Sequence, residues 1–152
     1  MISVVLVEDE PIILKVLAST IDWLSLNCAV VGQARNGEDG LDIILREEPD
    51  LVISDIRMPG MSGIEMLEKA KETLSFECIL LTGYSDFEYA QKAIRLGVSD
   101  YVLKPIDDDL LEKAIRTAID RIEVKKEYSQ LKEDKKKIVV LEDNIELKLQ
   151  SY

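Results

Sequence analysis

Five short apolar runs that alternate with helical patterns constrain the fold of this 152-residue chain more than any other feature. The runs are rich in β-branched residues and show little polar–apolar alternation, which is typical of strands buried on both faces of a parallel sheet. They cover residues 3–7, 28–32, 51–54, 78–81 and 101–103. The order predicts an α/β fold of the (βα)₅ type, with a parallel sheet between helices and right-handed crossovers.

The helical patterns between the runs have apolar residues at 3.6-residue spacing. Pro11 suits the first turn of the first helix, Gly97 the end of the fourth, and the acids at 107–109 the cap of the fifth. The stripes are Ile13, Leu17, Ile21 and Leu24; Leu41, Ile44 and Leu45; Leu67, Ala70 and Leu74; Phe87, Ala90 and Ile94; and Leu111, Ala114, Ile115, Ala118, Ile119 and Ile122.

From about residue 121 the chain becomes dense in charges and contains neither Pro nor Gly. We therefore predict one domain over residues 1–122 and a helical extension over residues 123–152. Apolar residues recur there every seven positions, but two of the four residues that should complete the seam are charged, so a coiled coil and a solvated or frayed helix both stay open. The seam residues are Val124, Leu131, Ile138 and Ile145, completed by Tyr128, Lys135, Glu142 and Leu149.

The composition excludes several classes of function. With 30 acids against 19 bases the net charge is −11, so we expect no direct binding of nucleic acid by this chain. There is no His, which removes His-based metal sites and His-dependent catalysis. No apolar stretch approaches the roughly 20 residues of a membrane span, and nothing resembles a signal peptide, so we expect a cytoplasmic protein without membrane contact. Cys28 and Cys78 lie in apolar runs and are expected to be buried thiols, with a disulfide or metal pair as the minor alternative.

Polar residues follow several of the predicted strands, at the sheet edge where open α/β folds place their functional sites. The first strand ends in acids at 8–10, the third in Asp55, the fourth in Thr82 and the fifth in Lys104. Acids that converge from separate strands repel one another, and Mg²⁺ is the natural cation for such hard oxygen ligands. A metal beside a carboxylate and a Lys makes a place for an anionic phosphate.

Four segments carry a family resemblance: VLVEDE, ISDIRMPGMSG, LLTGYSDFEYAQKAIRLG and VSDYVLKPI. In this order and with these gaps, residues 1–122 resemble a response-regulator receiver domain of bacterial two-component systems. The part from residue 83 to 105 most resembles receivers joined to AraC-type helix-turn-helix outputs. The resemblance implies a flavodoxin-like, doubly wound sheet with strand order 2-1-3-4-5, followed here by the C-terminal helical extension.

The resemblance also implies a role for each matching residue at the metal. Asp55 would accept a phosphoryl group from the phosphohistidine of a sensor histidine kinase. Mg²⁺ would be held by Asp9 and Asp55 directly, by Glu8 through water, and by the backbone carbonyl of Arg57. Glu8 departs from the Asp that many receivers carry, and the Arg57 side chain could alter the lifetime of the phosphoryl group in either direction.

Three further positions would complete the switch that the resemblance implies. Lys104 would pair with Asp55 and then with the phosphoryl oxygens, and Thr82 would hydrogen-bond the phosphoryl group. Tyr101 would turn inward when Thr82 moves, and Pro105 would follow a peptide bond that is often cis. Phosphoryl transfer depends on positioning and charge neutralisation more than on acid–base groups, which agrees with a site that lacks His.

The expected output is a change in the surface from helix four to helix five, with a homodimer formed on phosphorylation. We expect Phe87 and Ile94 in the core and Tyr89 on the surface. The chain is interpreted as a receiver fragment with its linker, controlling transcription through a DNA-binding domain outside it. The alternative is a stand-alone receiver that acts by protein–protein binding. Neither interpretation makes it an enzyme beyond its own phosphorylation and dephosphorylation.

Three rival interpretations fit the sequence less well. A haloacid-dehalogenase-type phosphatase needs a second Asp two residues after its nucleophile, where this chain has Arg57. A flavodoxin-like binding module needs a loop rich in Ser, Thr and Gly after the first strand, where this chain has acids at 8–10. A receiver that works only by protein binding does not need the intact set of Asp55, Thr82 and Lys104. We interpret Pro59, Gly60 and Gly63 as ordinary turn residues.

Overall fold

A computed structural model describes residues 1–83 and 87–150, apart from the side chains of residues 87, 89, 90 and 144–150. Strands and helices alternate along the described chain: β1 (Ile2–Val7), α1 (Pro11–Thr20), β2 (Cys28–Ala34), α2 (Gly37–Glu47), β3 (Leu51–Asp55), α3 (Gly63–Lys71), β4 (Glu77–Thr82), α4 (Phe87–Arg95), β5 (Asp100–Leu103) and α5 (Asp108–Gln150). Each predicted strand agrees with the observed one to within two residues at either end, because buried apolar runs are hard to mistake once their flanks are polar.

All strand pairs are parallel and the order is β2-β1-β3-β4-β5, which confirms the predicted doubly wound fold. Asp55 pairs with Leu81 on β4, and Thr82 pairs with Leu103 on β5. Every residue of β3 and β4, two of the three inner strands, is buried. The register therefore brings the carboxyl ends of β3, β4 and β5 level at one edge of the sheet.

The core lies on both faces of the sheet. On one face, alternate residues of β1, β3 and β4 pack with buried side chains from α2, α3 and α4, including Ile44, Leu67 and Ala93. The other strand residues point to the opposite face. The remaining buried helical side chains come from α1 and α5, including Leu17 and Ile115. Cys28 and Cys78 are buried free thiols, as expected.

Helix α1 ends earlier than its apolar stripe predicts. The helix stops at Thr20, and Ile21 is already extended. Trp23 is buried and its indole N–H donates to the Leu17 carbonyl at 3.2 Å, whereas Leu24 is 74% exposed. The prediction was wrong beyond Thr20 because burying the larger indole, with a partner for its N–H, requires a turn at this point.

The prediction that Ile94 belongs to the core is also wrong. Ile94 is 67% exposed, and its neighbour Ala93 is buried instead. At the end of α4 the predicted position is therefore one residue out of register with the side chain that packs on the core. The structure does not describe the side chains of Phe87, Tyr89 and Ala90, so the expectations for these residues lie outside it.

Helix α5 begins with the predicted cap, since the Asp107 carboxylate accepts the backbone N–H groups of Asp109 (2.9 Å) and Leu110 (3.2 Å). The chain divides into two compact units, residues 1–119 and residues 120–152. Within the first unit, the predicted α5 stripe from Leu111 to Ile119 is buried. Over residues 1–83 and 87–150, no helix has the length and apolar character needed to cross a membrane.

Candidate functional site

The structure gathers the predicted site residues at the carboxyl edge of the sheet. Glu8 and Asp9 follow β1 directly, and Asp55 is the last residue of β3. Thr82 is the last residue of β4, and Lys104 follows β5. Parallel strands place these ends side by side, so groups far apart in the sequence share one small region.

Three carboxylates lie unusually close together there. Glu8, Asp9 and Asp55 each contribute one oxygen to a group in which these atoms are within 4.8 Å of one another. Glu8 is completely buried, Asp55 is 5% exposed and Asp9 is partly buried. Burial weakens the screening by water, so the mutual repulsion of these acids is strong unless positive charge offsets it.

Lys104 supplies one positive charge to this cluster. Its ammonium group lies 2.8 Å from Oδ2 of Asp55 and 3.2 Å from Oε1 of Glu8. The same Glu8 oxygen accepts a long hydrogen bond of 3.4 Å from the backbone N–H of Glu10. The second oxygen, Oε2, is buried and has no hydrogen-bond partner among the residues that the structure describes. The single ammonium thus leaves the cluster with an excess of negative charge.

The electrostatics of the cluster follow from this imbalance. Burial, and next the negative charge of Asp55, raise the pKa of Glu8 to about 7 against the opposing effect of Lys104. Burial also raises the pKa of Asp55, although its contact with Lys104 lowers it. Burial alone would lower the pKa of Lys104, but its contacts with Asp55 and Glu8 raise the pKa above the ordinary value. The carboxylates are therefore held in an environment that favours the binding of a cation.

The donor set fits a hard divalent cation. Carboxylate oxygens from Glu8, Asp9 and Asp55 are the ligands that Mg²⁺ prefers, and the unpartnered Oε2 of Glu8 is an orphaned acceptor that such an ion or its bound water could satisfy. Arg57 lies in the loop after β3, where it lines an open cleft together with Asp9 and Glu65. This loop brings the backbone of Arg57 to the same edge as the acids.

The other predicted site residues lie at or near the same edge of the sheet, and not all of them contact the acids. Thr82 is buried, and its hydroxyl donates to the Gly83 carbonyl at 3.0 Å. Tyr101, which pairs with Leu80 in the sheet, is 49% exposed. The peptide bond between Lys104 and Pro105 is cis.

Two residues important to the site's geometry were not recognised from sequence. The Glu38 carboxylate, in the first turn of α2, accepts the backbone N–H of Met61 at 3.0 Å and so ties α2 to the loop after β3. A Cβ atom on Gly63 would lie 2.0 Å from the carbonyl oxygen of Asp55. The interpretation of Gly63 as an ordinary turn residue was wrong, because here glycine permits close packing behind Asp55. The signal that could have indicated Glu38 is its place just after β2, at the same sheet edge.

The fold and the acidic edge together define a class: doubly wound α/β proteins with a carboxylate cluster and a lysine at the carboxyl ends of the strands. Residues 4–116 match the response regulator receiver domain family. The chain belongs to this family, whose domains bind Mg²⁺ at a cluster of acidic residues and are phosphorylated by sensor histidine kinases.

Individual proteins that are similar to this chain in sequence or structure carry names that agree with this family. The chain is 37% identical over 120 residues to the uncharacterized transcriptional regulatory protein YesN of Bacillus subtilis (strain 168), covering 78% of this chain and 33% of YesN. The REC domain of AraT, a response regulator from Geobacillus stearothermophilus, is 38% identical with a TM-score of 0.74, covering 85% of this chain and 98% of that one. A two component transcriptional regulator AraC from Clostridium phytofermentans ISDg is 32% identical with a TM-score of 0.67, covering 79% and 97%. The chain thus spans about a third of YesN.

Proposed function

We propose that this chain is a phosphorylation-operated switch in which Asp55 accepts a phosphoryl group from the phosphohistidine of a sensor histidine kinase. Glu8, Asp9, Asp55 and the backbone carbonyl of Arg57 would hold Mg²⁺ beside the acceptor. The observation that carries the proposal is the buried carboxylate of Asp55, which is paired with Lys104. It lies within a cluster of three carboxylates that the single charge of Lys104 does not neutralise. A purely structural ion pair would not need the two additional carboxylates.

The proposed transfer requires little covalent chemistry from the protein. An oxygen of Asp55 forms a bond to phosphorus while the bond from phosphorus to the imidazole nitrogen breaks, and the electron pair remains on that nitrogen. Bound Mg²⁺ supplies positive charge near the phosphoryl oxygens. Lys104, which lies 2.8 Å from Asp55 before transfer, is positioned to pair with a phosphoryl oxygen afterwards.

The same residues suggest how phosphorylation becomes a signal. The phosphoryl group adds roughly 1.5 to 2 negative charges and three acceptor oxygens. The Thr82 hydroxyl donates a hydrogen bond to the neighbouring Gly83 carbonyl and would donate to a phosphoryl oxygen instead. The half-exposed Tyr101 would then turn inward, and the surface from α4 to α5 would change. We propose that two phosphorylated copies associate through this surface.

The output of the switch is proposed to be transcription. The family membership and the named transcriptional regulators support an AraC-type DNA-binding domain outside this chain, with no nucleic acid bound by the chain itself. The second candidate is a stand-alone receiver that acts by protein–protein binding. We propose a cytoplasmic location for either, and no enzymatic activity beyond the protein's own phosphorylation and dephosphorylation.

Intact-mass measurement after incubation with acetyl phosphate tests the proposal. We expect the mass of one phosphoryl group to be added in the presence of Mg²⁺ and not after chelation. Asp55→Asn should abolish the addition, whereas Asp50→Asn, which alters an acid at the opposite end of β3, should preserve it. Addition to Asp55→Asn, or none to the wild type, contradicts the proposal.

A second experiment separates acceptance of the phosphoryl group from the switch. We expect Thr82→Ala to be phosphorylated by acetyl phosphate but to remain monomeric at protein concentrations at which the untreated wild type is monomeric and the wild type with beryllofluoride and Mg²⁺ associates. Light scattering after size-exclusion chromatography measures the association. A Thr82→Ala variant that cannot be phosphorylated would show that the residue serves the chemistry rather than its readout.

A further inference from the structure

The helical unit formed by residues 120–152 presents an apolar stripe to solvent. Val124, Tyr128, Leu131 and Ile138 lie on one face of the helix because they are spaced by four, three and seven residues. Their exposed fractions are 64%, 60%, 64% and 54%. A stripe with this period is the seam by which two helices pack in a coiled coil.

One feature fits a pair of helices rather than a larger bundle. The stripe is interrupted by Lys135, and a single Lys at such a seam position favours a defined, two-stranded pairing at some cost in stability. Val139 and Leu141, which are 54% and 61% exposed, flank Ile138 on either side and add to the apolar area that pairing would bury. This stripe lies beyond residue 116, where the match to the receiver family ends.

The charges beside the stripe distinguish a parallel from an antiparallel pair. Asp120 and Glu127 lie on one flank, and Lys125 and Lys132 lie on the other. In a parallel pair each acid meets a residue five positions further along the partner, which gives Asp120 opposite Lys125 and Glu127 opposite Lys132. In an antiparallel pair each flank meets its own copy, so acids face acids and lysines face lysines.

We propose that residues 120–141 form a parallel, two-stranded coiled coil with a second copy of this chain. The net charge of the helical unit supports this occupant, since residues 120–152 contain eight acids and eight bases while the chain as a whole carries −11. Two helical units therefore meet without net repulsion, whereas two copies of residues 1–119 repel. The pairing does not depend on Asp55 and goes beyond the proposed phosphorylation switch.

Site-directed disulfide formation tests the orientation. Val124→Cys places a thiol on the seam near one end of residues 120–141, where a parallel pair brings it next to its own copy and an antiparallel pair places it near the far end of the partner. Glu133→Cys places a thiol on the outer face as the control. With oxidised glutathione as the oxidant, we expect disulfide-linked dimers from Val124→Cys on non-reducing gels and few from Glu133→Cys. The native thiols Cys28 and Cys78 are buried and contribute little background. Equal linkage of both variants, or none of Val124→Cys, overturns the proposal.

Charge reversal tests the pairing across the seam. Lys125→Glu with Lys132→Glu should weaken self-association at least roughly tenfold, since four attractive contacts in the dimer become repulsive. Asp120→Lys with Glu127→Lys should do the same, and an equimolar mixture of the two double variants should associate again. Sedimentation equilibrium measures each case, and circular dichroism verifies that the helix persists. Failure of the mixture to associate, with both variants folded, contradicts the parallel arrangement.

These measurements are made in the Asp55→Asn background with chelator and without a phosphoryl donor. Association there cannot come from phosphorylation, so the coiled coil and the phosphorylation switch fail or succeed separately. We expect a concentration-dependent dimer in this background. A protein that stays monomeric up to the low millimolar range overturns the coiled coil and leaves the proposed role of Asp55 untouched.

Discussion

Acids lie at both the amino and the carboxyl edge of the sheet, but their hydrogen bonding differs between the two edges. At the amino edge, Oδ2 of Asp50 accepts the backbone N–H of Ser3 at 2.9 Å and its hydroxyl at 3.2 Å, and the Glu77 carboxylate accepts the Ser99 hydroxyl. At the carboxyl edge, Oε2 of Glu8 has no hydrogen-bond partner among the described residues. The first edge satisfies its acids within the chain, while the second leaves acceptor capacity for something from outside.

This difference separates acids that hold the fold together from acids that prepare a binding site. A carboxylate that accepts hydrogen bonds from neighbouring donors stabilises the folded state, and its removal leaves those donors unpaired. A buried carboxylate among other acids destabilises the folded state until a cation arrives. The comparison therefore predicts opposite signs for similar substitutions at the two edges.

The largest expected effect is at the amino edge. Asp50→Ala removes a charged acceptor from two donors of Ser3 and should lower the free energy of unfolding by about 3 to 4 kcal/mol. Asp50→Asn keeps one acceptor oxygen and should cost less than half of this. Urea denaturation measures both. A loss below about 1 kcal/mol for Asp50→Ala would mean that these hydrogen bonds stabilise little and that acids at the amino edge do not hold the fold together.

The next effect has the opposite sign. In the absence of Mg²⁺ at pH 8, Glu8→Gln should raise the free energy of unfolding by about 2 to 3 kcal/mol, because it removes a buried charge that Asp55 repels. Glu77→Gln at the amino edge is the matched control and should destabilise the protein. Urea denaturation with chelator present measures both variants. Destabilisation by Glu8→Gln would show that Lys104 already neutralises the cluster.

The stability of the wild type without Mg²⁺ should depend on pH through the same residue. The pKa of Glu8 is raised from 4.5 to about 7, so its contribution to stability is fully present below its ordinary pKa and is lost as the pH rises through 7. Between pH 5 and pH 8 the free energy of unfolding should fall by about 2 kcal/mol. Thermal denaturation across this range measures the fall, and Glu8→Gln should flatten the curve. A rise in stability over the range contradicts the assignment.

The smallest expected effect concerns Glu38, an acid at the carboxyl edge that resembles those at the amino edge. Its carboxylate accepts the Met61 N–H, which fixes the loop that contains Arg57. Glu38→Ala should weaken Mg²⁺ binding about tenfold, as is typical when a residue that orients a metal ligand is removed. Glu38→Gln retains an acceptor and should weaken it less. Amide NMR titration with Mg²⁺ measures the affinity of both variants. Affinities equal to that of the wild type would show that Glu38 does not help to position the metal ligands.

The sequence pattern predicts the structure correctly where burial dictates it. The strands were predicted closely because each is an apolar run, and the cluster of Glu8, Asp55 and Lys104 followed from the rule that parallel strands end at the same edge. It failed where two neighbouring residues compete for one place. Ala93 rather than Ile94 faces the core, a choice made by the packing of α4 on the sheet and not by hydrophobicity.

Residue types at strand spacing are enough to specify the parallel sheet and the acids at its carboxyl edge. The hydrogen bonding of those acids depends instead on tertiary contacts. Both oxygens of a carboxylate can have donors only if the fold brings those donors close. Asp50 accepts from Ser3, whereas Oε2 of Glu8 has no donor among the described residues. The groups concerned can be far apart in the sequence, as Glu8 and Lys104 are, at 96 residues. Hydrogen bonding and desolvation act over a few ångströms in space, and sequence spacing does not report that distance.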